Sequence, residues 1–482
     1  MSDPHSPKPE TKPDSVLEVM HVEKTGNTVQ GGYSGAAEKT DPVEIALVRK
    51  LDRRIMPILW AMYFLNYLDR NALPQARLNS LEEDLGLEGV QYNTAISILF
   101  VGYLLMQVPS NMFLTRTRPS IYMSVCMIGW AGISAATAGV KNYAGLVACR
   151  FFLGFVEAPF YPGALYLLSV FYTRKELATR ISILYTGQVV STGCSGLIAA
   201  ATFATLDKAK GIAGWQWLFI IEGSITALVA IFGFILLPDD PSQTRWLTPA
   251  ERALAVARIE RDTVGQAARG STWDGLKQAC RDPRTWLFCL MQNLHISACS
   301  FNNFFPTIVQ SMGFRSTTAL LLTAPPYLVS GALGIPFAWS SGRLDERTLH
   351  VTAGLGLAVG GFAATLATAD ARARYAAAFL YATGAYAVGS VILGWVGVTL
   401  AQTPEKKAVA YGLVNVTANA AYVYCAYLWP AADGPGYVMG FAAMVGFAGG
   451  SVACAWAMRG WLVRENRKIR ESGEEGAVLY AY

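Results

Sequence analysis

Repeated long apolar runs are the feature that most constrains the fold of this chain. Several approach or exceed the roughly 20 residues that a helix needs to cross a bilayer. A soluble protein could not place so many such segments in its interior. The pattern predicts an all-α polytopic membrane protein with twelve transmembrane helices, at approximately residues 53–74, 93–113, 119–139, 143–168, 178–203, 215–237, 284–309, 317–341, 347–367, 373–400, 407–430 and 436–459.

The composition agrees with a lipid environment and excludes several functions. Only 15% of the 482 residues are charged, against about a quarter in soluble proteins. The net charge of +5 comes without a basic stripe that interleaves aromatic residues, so no nucleic-acid partner is expected. Cysteines and histidines lack metal-ligand spacing, and no HExxH or GxSxG sequence occurs. We therefore expect no enzyme, no metal and no cofactor.

A polar stretch at residues 238–283 divides the predicted helices into two groups of six. It contains Thr248, Pro249 and Glu251 in the order of a helix N-terminus, which predicts a short amphipathic helix in a linker. The predicted organisation is a disordered tail at 1–50, a first half at 51–237, the linker, a second half at 284–460 and a tail at 461–482.

Lysine and arginine concentrate in every second loop, which predicts the topology. The loop after the second span carries Arg116 and Arg118, and the loop after the fourth carries Arg174, Lys175 and Arg180. Because basic loops stay in the cytoplasm, the linker and both termini are expected there. Six spans on each side of a cytoplasmic linker is the plan of the major facilitator superfamily, with a substrate site between the halves.

Two predicted spans carry charged pairs at membrane depth. Arg150 and Glu157 lie in CRFFLGFVEAPFYPGALYLL, on one helical face and about 10 Å apart along the axis. Asp69 and Arg70 lie in FLNYLDRNALPQA. Such residues usually face the bundle interior and carry function. Arginine binds carboxylates, and buried carboxylates can exchange protons, although two purely structural ion pairs would also fit.

Polar side chains near these charges are further candidates for a substrate site. They are Tyr67 in the first span, Tyr103 in the second, Gln188 in the fifth and Asn415 in the eleventh. Polar residues also hold transmembrane helices together by hydrogen bonds. A packing role is therefore the alternative for each of them.

The chain resembles the anion:cation symporter family of the major facilitator superfamily, and within it the fungal allantoate permease group. NYLDRNALPQARLNSLEEDLGL, RFFLGFVEAPFYPGALYLLSVFYTRKELATR, GWQWLFIIEG and LTAPPYLVSG carry the likeness, which covers about residues 50–465. The resemblance implies that Asp69 and Glu157 carry protons and that Arg70 and Arg150 hold the substrate anion. It assigns Tyr67, Tyr103, Gln188 and Asn415 to the substrate site.

The expected function is proton-coupled uptake of a small organic anion by a monomer, in the plasma membrane. Allantoate, nicotinate, pantothenate and sugar acids are the candidate substrates. The alternatives are export of an acidic secondary metabolite and a nutrient transceptor. Proton-antiporting exporters of this superfamily commonly carry proline in the fifth span, and LYTGQVVSTGCSGLIAA has none, which favours import.

Overall fold

The computed structural model describes residues 41–114, 117–263, 272–471 and 479–482. Within these ranges all regular structure is helical, with no β-strand. Eight helical stretches of the described residues are long and apolar enough to cross a membrane, and one of them, Tyr143–Phe171, comprises two helices separated at Pro159. The predicted all-α membrane fold is confirmed, and the total of twelve spans stays a prediction.

The helices fall into three groups along the chain. The N-terminal half contains α1 (Pro42–Ala76), α2 (Leu81–Leu85), α3 (Gln91–Leu114), α4 (Pro119–Thr137), α5 (Tyr143–Glu157), α6 (Phe160–Phe171), α7 (Arg174–Leu206) and α8 (Gly214–Leu236). The linker contains α9 (Pro249–Thr263) and α10 (Thr272–Arg281). The C-terminal half contains α11 (Pro283–Ala298), α12 (Phe305–Ser311), α13 (Ser316–Leu344), α14 (Thr348–Ala367), α15 (Ala371–Thr399), α16 (Pro404–Cys425) and α17 (Val438–Glu471).

Both predicted tails contain helical residues. Helix α1 begins inside the predicted 1–50 tail, because Asp41 caps it by accepting a hydrogen bond from Val43 N and Pro42 suits the first helical position. Helix α17 continues to Glu471, inside the predicted 461–482 tail, with Leu462 buried. The remainder of the first tail, residues 1–40, and residues 472–478 lie outside the described residues.

The predicted fourth span is divided into α5 and α6 at Pro159, which lacks an N–H and disfavours a continuous helix. The buried face of α5 contains both Arg150 and Glu157, so their predicted shared face is confirmed. A Cβ at Gly154 would collide with the carbonyl oxygen of Leu99 in α3. This close crossing sets α5, with its two charges, directly against α3.

The outward surfaces of the long helices are apolar. On α8, Ile231 is 50% exposed and Ile235 is 69% exposed, whereas Glu222 on the same helix is buried. This is the reverse of a water-soluble helix, and it fits a surface that faces lipid acyl chains while polar groups face inward.

The linker helices lie at one end of the bundle, which we call the linker end. The predicted capping box of α9 is confirmed, since Thr248 N donates to Glu251 Oε2 at 2.8 Å and Glu251 N donates to Thr248 Oγ1 at 3.3 Å. Buried Arg258 pairs with Glu44 at 3.1 Å and with Glu176 at 2.5 Å. Helix α9 is thereby tied to the N-terminal half, while α10 packs on α16.

Candidate functional site

An ion pair between Arg70 and Glu157 forms the centre of the site. Arg70 Nε on α1 donates to Glu157 Oε1 at the end of α5. The guanidinium carbon also lies 5.1 Å from the ring centroid of Tyr67 and 4.8 Å from that of Tyr103. Aromatic faces attract a cation most strongly where water is excluded. Two rings and one carboxylate therefore hold Arg70 in place.

Arg150 lies two helical turns before Glu157 on the same face of α5. Its side chain is buried, and its Nε and Nη1 atoms have no hydrogen-bond partner in the structure. The second carboxylate oxygen of Glu157, Oε2, also lacks one. A buried guanidinium with unmatched donors is costly unless a negative group meets it. The site thus presents donors suited to an anion.

Asp69 points to a different part of the N-terminal half from its neighbour Arg70. Its carboxylate accepts hydrogen bonds from Ser134 Oγ at 2.9 Å, Thr226 Oγ1 at 3.1 Å and Trp130 Nε1 at 3.2 Å. Successive residues on a helix project about 100° apart. The structure therefore brings Arg70 and Glu157 into contact, while Asp69 bonds to α4 and α8.

A group of tyrosines, absent from the predicted site, surrounds Tyr67. The ring centroid of Tyr63 lies 5.2 Å from that of Tyr67 and 5.8 Å from that of Tyr161. Tyr161 OH donates to Tyr185 OH at 3.2 Å. Tyr63 OH lies 3.5 Å from Gln188 Oε1, which places Gln188 against this group. The four-residue spacing of Tyr63 and Tyr67 was the available sequence signal, because such residues share a helical face.

Asn415 lies in the C-terminal half, on α16. Asn419 Nδ2 donates to its backbone oxygen at 2.9 Å and to its Oδ1 at 3.1 Å. Asn415 is partly exposed and lies two helical turns before Tyr422, on the same side of α16. The contacts described for Asn415 are within its own helix, so the structure does not join it to the charged pair.

The two halves meet at the end opposite the linker. Asn93 Nδ2 on α3 donates to the carbonyl oxygen of Ala426 at 2.6 Å. The rings of Phe100 and Tyr422 stack with centroids 4.4 Å apart. Tyr103, which contacts Arg70, lies one turn beyond Phe100 toward the linker end of α3. The charged pair is therefore on the linker side of this contact.

A second contact between the halves joins α7 to α13. A Cβ at Gly196 would collide with the carbonyl oxygen of Leu320 and the hydroxyl of Thr323. The backbones of α7 and α13 approach this closely because position 196 has no side chain.

Lipid-facing helices around buried charges, with two groups of helices closed against each other at one end, define a membrane transport protein. Residues 59–426, more than half of the chain, match the family model of the Major Facilitator Superfamily. The chain belongs to this superfamily.

Two fungal relatives extend the match over most of the chain. MFS transporter prlL from Fungal sp. (strain NRRL 50135) is 32% identical over 455 residues, which cover 91% of this chain and 90% of that protein. Major facilitator-type transporter hxnP from Emericella nidulans is 31% identical over 450 residues, covering 91% and 89% respectively. The chain is accordingly a multi-pass transport protein for a small molecule and not an enzyme.

Solved structures show the same fold. A bacterial homolog of the human lysosomal transporter Spinster, in an inward-facing and occupied conformation, aligns with a TM-score of 0.66. The alignment covers 83% of this chain and 94% of that protein at 16% sequence identity. At this identity the likeness concerns the fold alone.

Proposed function

We propose that the chain is a proton-coupled symporter of a small organic anion. The observation that carries the proposal is the pair of unmatched donors on buried Arg150, which lies two helical turns from Glu157 on the same face of α5. A planar guanidinium binds a carboxylate through two parallel hydrogen bonds. A substrate carboxylate would supply the negative group that Arg150 lacks.

The Arg70–Glu157 pair offers a physical route to coupling. An anion that takes hydrogen bonds from Arg70 competes directly with Glu157 for the same guanidinium. A buried carboxylate that loses its counter-charge favours its protonated form, because an isolated charge is costly away from water. Anion and proton would then bind together and leave together, which is symport.

Asp69 is proposed as a second proton-carrying group, separated from the anion. Three donors stabilise its charged form, and they come from α4 and α8, so a shift of either helix against α1 would change that stabilisation. The proton on Asp69 would thereby respond to helix movement, whereas the proton on Glu157 responds to substrate.

The conformation suits release at the linker end. With the linker on the cytoplasmic side, as we propose from the basic loops, the contact of α3 with α16 closes the outer side of the site. Transport would follow from rocking of the two halves about the site, so that this contact opens as the linker end closes.

The body of the substrate would lie among ring faces and amides. Tyr67 and Tyr103 are proposed to contact it from the N-terminal half, with Gln188, and Asn415 from the C-terminal half. Allantoate, nicotinate, pantothenate and sugar acids remain the candidates. We place the carrier in the plasma membrane as a monomer with both termini in the cytoplasm.

An uptake screen tests the proposal and its direction. Cells that express the chain are supplied with labelled organic acids at external pH 5.5 and 7.5, beside cells that express Glu157→Gln. A symporter accumulates one acid above its external concentration at the lower pH, and the variant does not. Faster loss of preloaded acid at low external pH would instead indicate export, and saturable binding without accumulation would indicate a receptor.

A further inference from the structure

The residues Tyr480, Ala481 and Tyr482, which we call the 480–482 segment, lie against the linker end of the C-terminal half. The rings of Tyr480 and Tyr482 pack on buried residues of that half, although α17, the last helix, ends at Glu471. The surface that receives them, which we call the socket, is formed by residues from three helices, α11, α15 and α17, and from two loops: Arg284, Arg347, Trp395, Gln402, Arg459 and Asn466. Arg347 contributes its backbone N–H, which donates to the Tyr482 carbonyl oxygen at 3.3 Å.

Backbone hydrogen bonds fix the position of the segment. Asn466 Nδ2 donates to the Tyr480 carbonyl oxygen at 2.8 Å, and Tyr480 N donates to Asn466 Oδ1 at 2.8 Å. The indole of Trp395 donates to the Ala481 carbonyl oxygen at 3.0 Å. Asn466 and Trp395 are themselves buried. The side-chain amide of Asn466 thus bonds both the carbonyl oxygen and the N–H of Tyr480, so this contact recognises the backbone of the segment.

The two tyrosine rings are held by cations. The Arg284 guanidinium carbon lies 5.3 Å from the Tyr480 ring centroid, and the Arg459 guanidinium carbon lies 4.9 Å from that of Tyr482. Gln402 also donates to Tyr480 OH at 3.2 Å. The contacts therefore suit a sequence with an aromatic residue on each side of Ala481, whose carbonyl oxygen accepts from Trp395.

The socket is connected to α16 through charged side chains. Arg284, which faces the Tyr480 ring, pairs with Asp282 at 2.8 Å. Asp282 also pairs with Lys406 in the first turn of α16 at 2.6 Å. Because α16 carries Asn415 and meets α3 near the charged pair, this chain of contacts links the segment to a helix that lines the interface between halves.

We propose that the 480–482 segment is an intramolecular peptide ligand of the socket, and that its binding holds the first turn of α16 in place. The socket is thus an interaction surface for an aromatic–small–aromatic peptide, occupied in this structure by the protein's own residues. Occupancy does not require transport substrate, so it can be tested independently of the proposed function.

Hydrogen–deuterium exchange of the full chain tests occupancy. The amide of Tyr480 is expected to exchange at least tenfold more slowly than in a free peptide of the same sequence, because its N–H is bound to Asn466. The double variant Y480A/Y482A should lose that protection and should also raise exchange in the first turn of α16. The conservative variant Y480F/Y482F keeps both rings and should retain most of the protection.

A peptide supplied in trans tests the socket itself. A fluorescent peptide of residues 476–482 is titrated to millimolar concentration. It should bind saturably to the Y480A/Y482A protein and restore slow exchange in the first turn of α16. It should bind the unmodified protein at least tenfold more weakly, since the tethered segment competes at high effective concentration. A peptide with both tyrosines changed to alanine is the control. Equal binding to both proteins, absence of binding to the variant, or an unprotected Tyr480 amide overturns the proposal.

Discussion

The two halves of the molecule place charge very differently. In the described part of the N-terminal half, four charged residues are buried beyond the first turn of a helix, namely Asp69, Arg150, Glu157 and Glu222, while buried Glu176 lies in the first turn of α7. In the C-terminal half, residues 375–404 and 408–432 contain no Asp, Glu, Lys or Arg. Its buried charged residues Arg374 and Lys406 lie in the first turns of α15 and α16. Deeper in its helices the buried polar groups include His295, whose Nε2 atom lies 2.8 Å from the Ala385 carbonyl oxygen.

This asymmetry would separate the two tasks of the proposed symporter. Charged groups bind ions and exchange protons, and each is costly to bury. Neutral amides and rings shape a surface without that cost. We infer that the N-terminal half carries anion and proton binding, and that the C-terminal half supplies the surface against which it moves. The predictions below test this division.

The largest effect is expected for Glu157→Gln. The amide keeps the shape of the side chain but cannot carry a proton, so the accumulation ratio should fall to about one while exchange of preloaded substrate continues. Labelled uptake and counterflow in the same cells measure the two activities. The matched change in the C-terminal half, Asp345→Asn at an exposed carboxylate, should leave coupling to protons intact. Concentrative uptake by Glu157→Gln would remove Glu157 from the coupling step.

Arg150→Lys should weaken substrate binding about tenfold, or about 1.4 kcal/mol. Lysine keeps the positive charge but lacks the planar fork that binds a carboxylate through two bonds. The concentration dependence of uptake measures the change in KM. Arg372→Lys, an exposed arginine at the start of α15, is the control and should have normal KM. Equal KM in both variants would contradict a direct role for Arg150.

Gly196→Leu tests the contact between the halves and should lower turnover several-fold with little change in KM. The new side chain would collide with the α13 backbone, so the arrangement seen here becomes costly while the charged pair is untouched. Initial rates at saturating substrate measure the effect. Gly360→Leu is the control, because a Cβ at that position has nothing within 4 Å. If both variants transport normally, α7 and α13 do not need this close approach.

The smallest effect concerns the linker. The hydrogen bonds from Lys50, at 2.8 Å and 2.9 Å, hold the pKa of Glu251 below its usual value. A lowered pKa in the folded state stabilises the protein above the unfolded pKa, and that contribution is lost as pH falls through the folded value. Glu251→Gln should therefore lower stability at pH 7 by less than about 1 kcal/mol, because the pair is partly exposed.

Thermal unfolding at two pH values checks this last prediction. The difference in Tm between the unmodified protein and Glu251→Gln should be small at pH 7 and should shrink at acidic pH, where Glu251 is protonated in both states. Glu83→Gln, at an exposed position away from the linker, is the control. A difference that grows on acidification would contradict the stated sign.

Much of the candidate site could be predicted because helix geometry is local. The seven-residue separation of Arg150 and Glu157 fixes their shared face, and Thr248 with Glu251 fixes the start of α9. The partner of Glu157 could not be predicted in this way. Arg150 is its neighbour along α5, yet Arg70 from α1 makes the ion pair, since the crossing of two helices decides which side chains meet.

The sequence alone determined the class of protein, because apolar length and charge content report directly on the solvent that surrounds each helix. It also indicated that the N-terminal half carries the charged pairs at membrane depth. Only the tertiary structure decided that Asp69 and Arg70 face different neighbours, that tyrosines from α1, α6 and α7 form one group, and that the 480–482 segment returns to α11, α15 and α17. These contacts join residues far apart in the chain, and their energies depend on distances that no local pattern encodes.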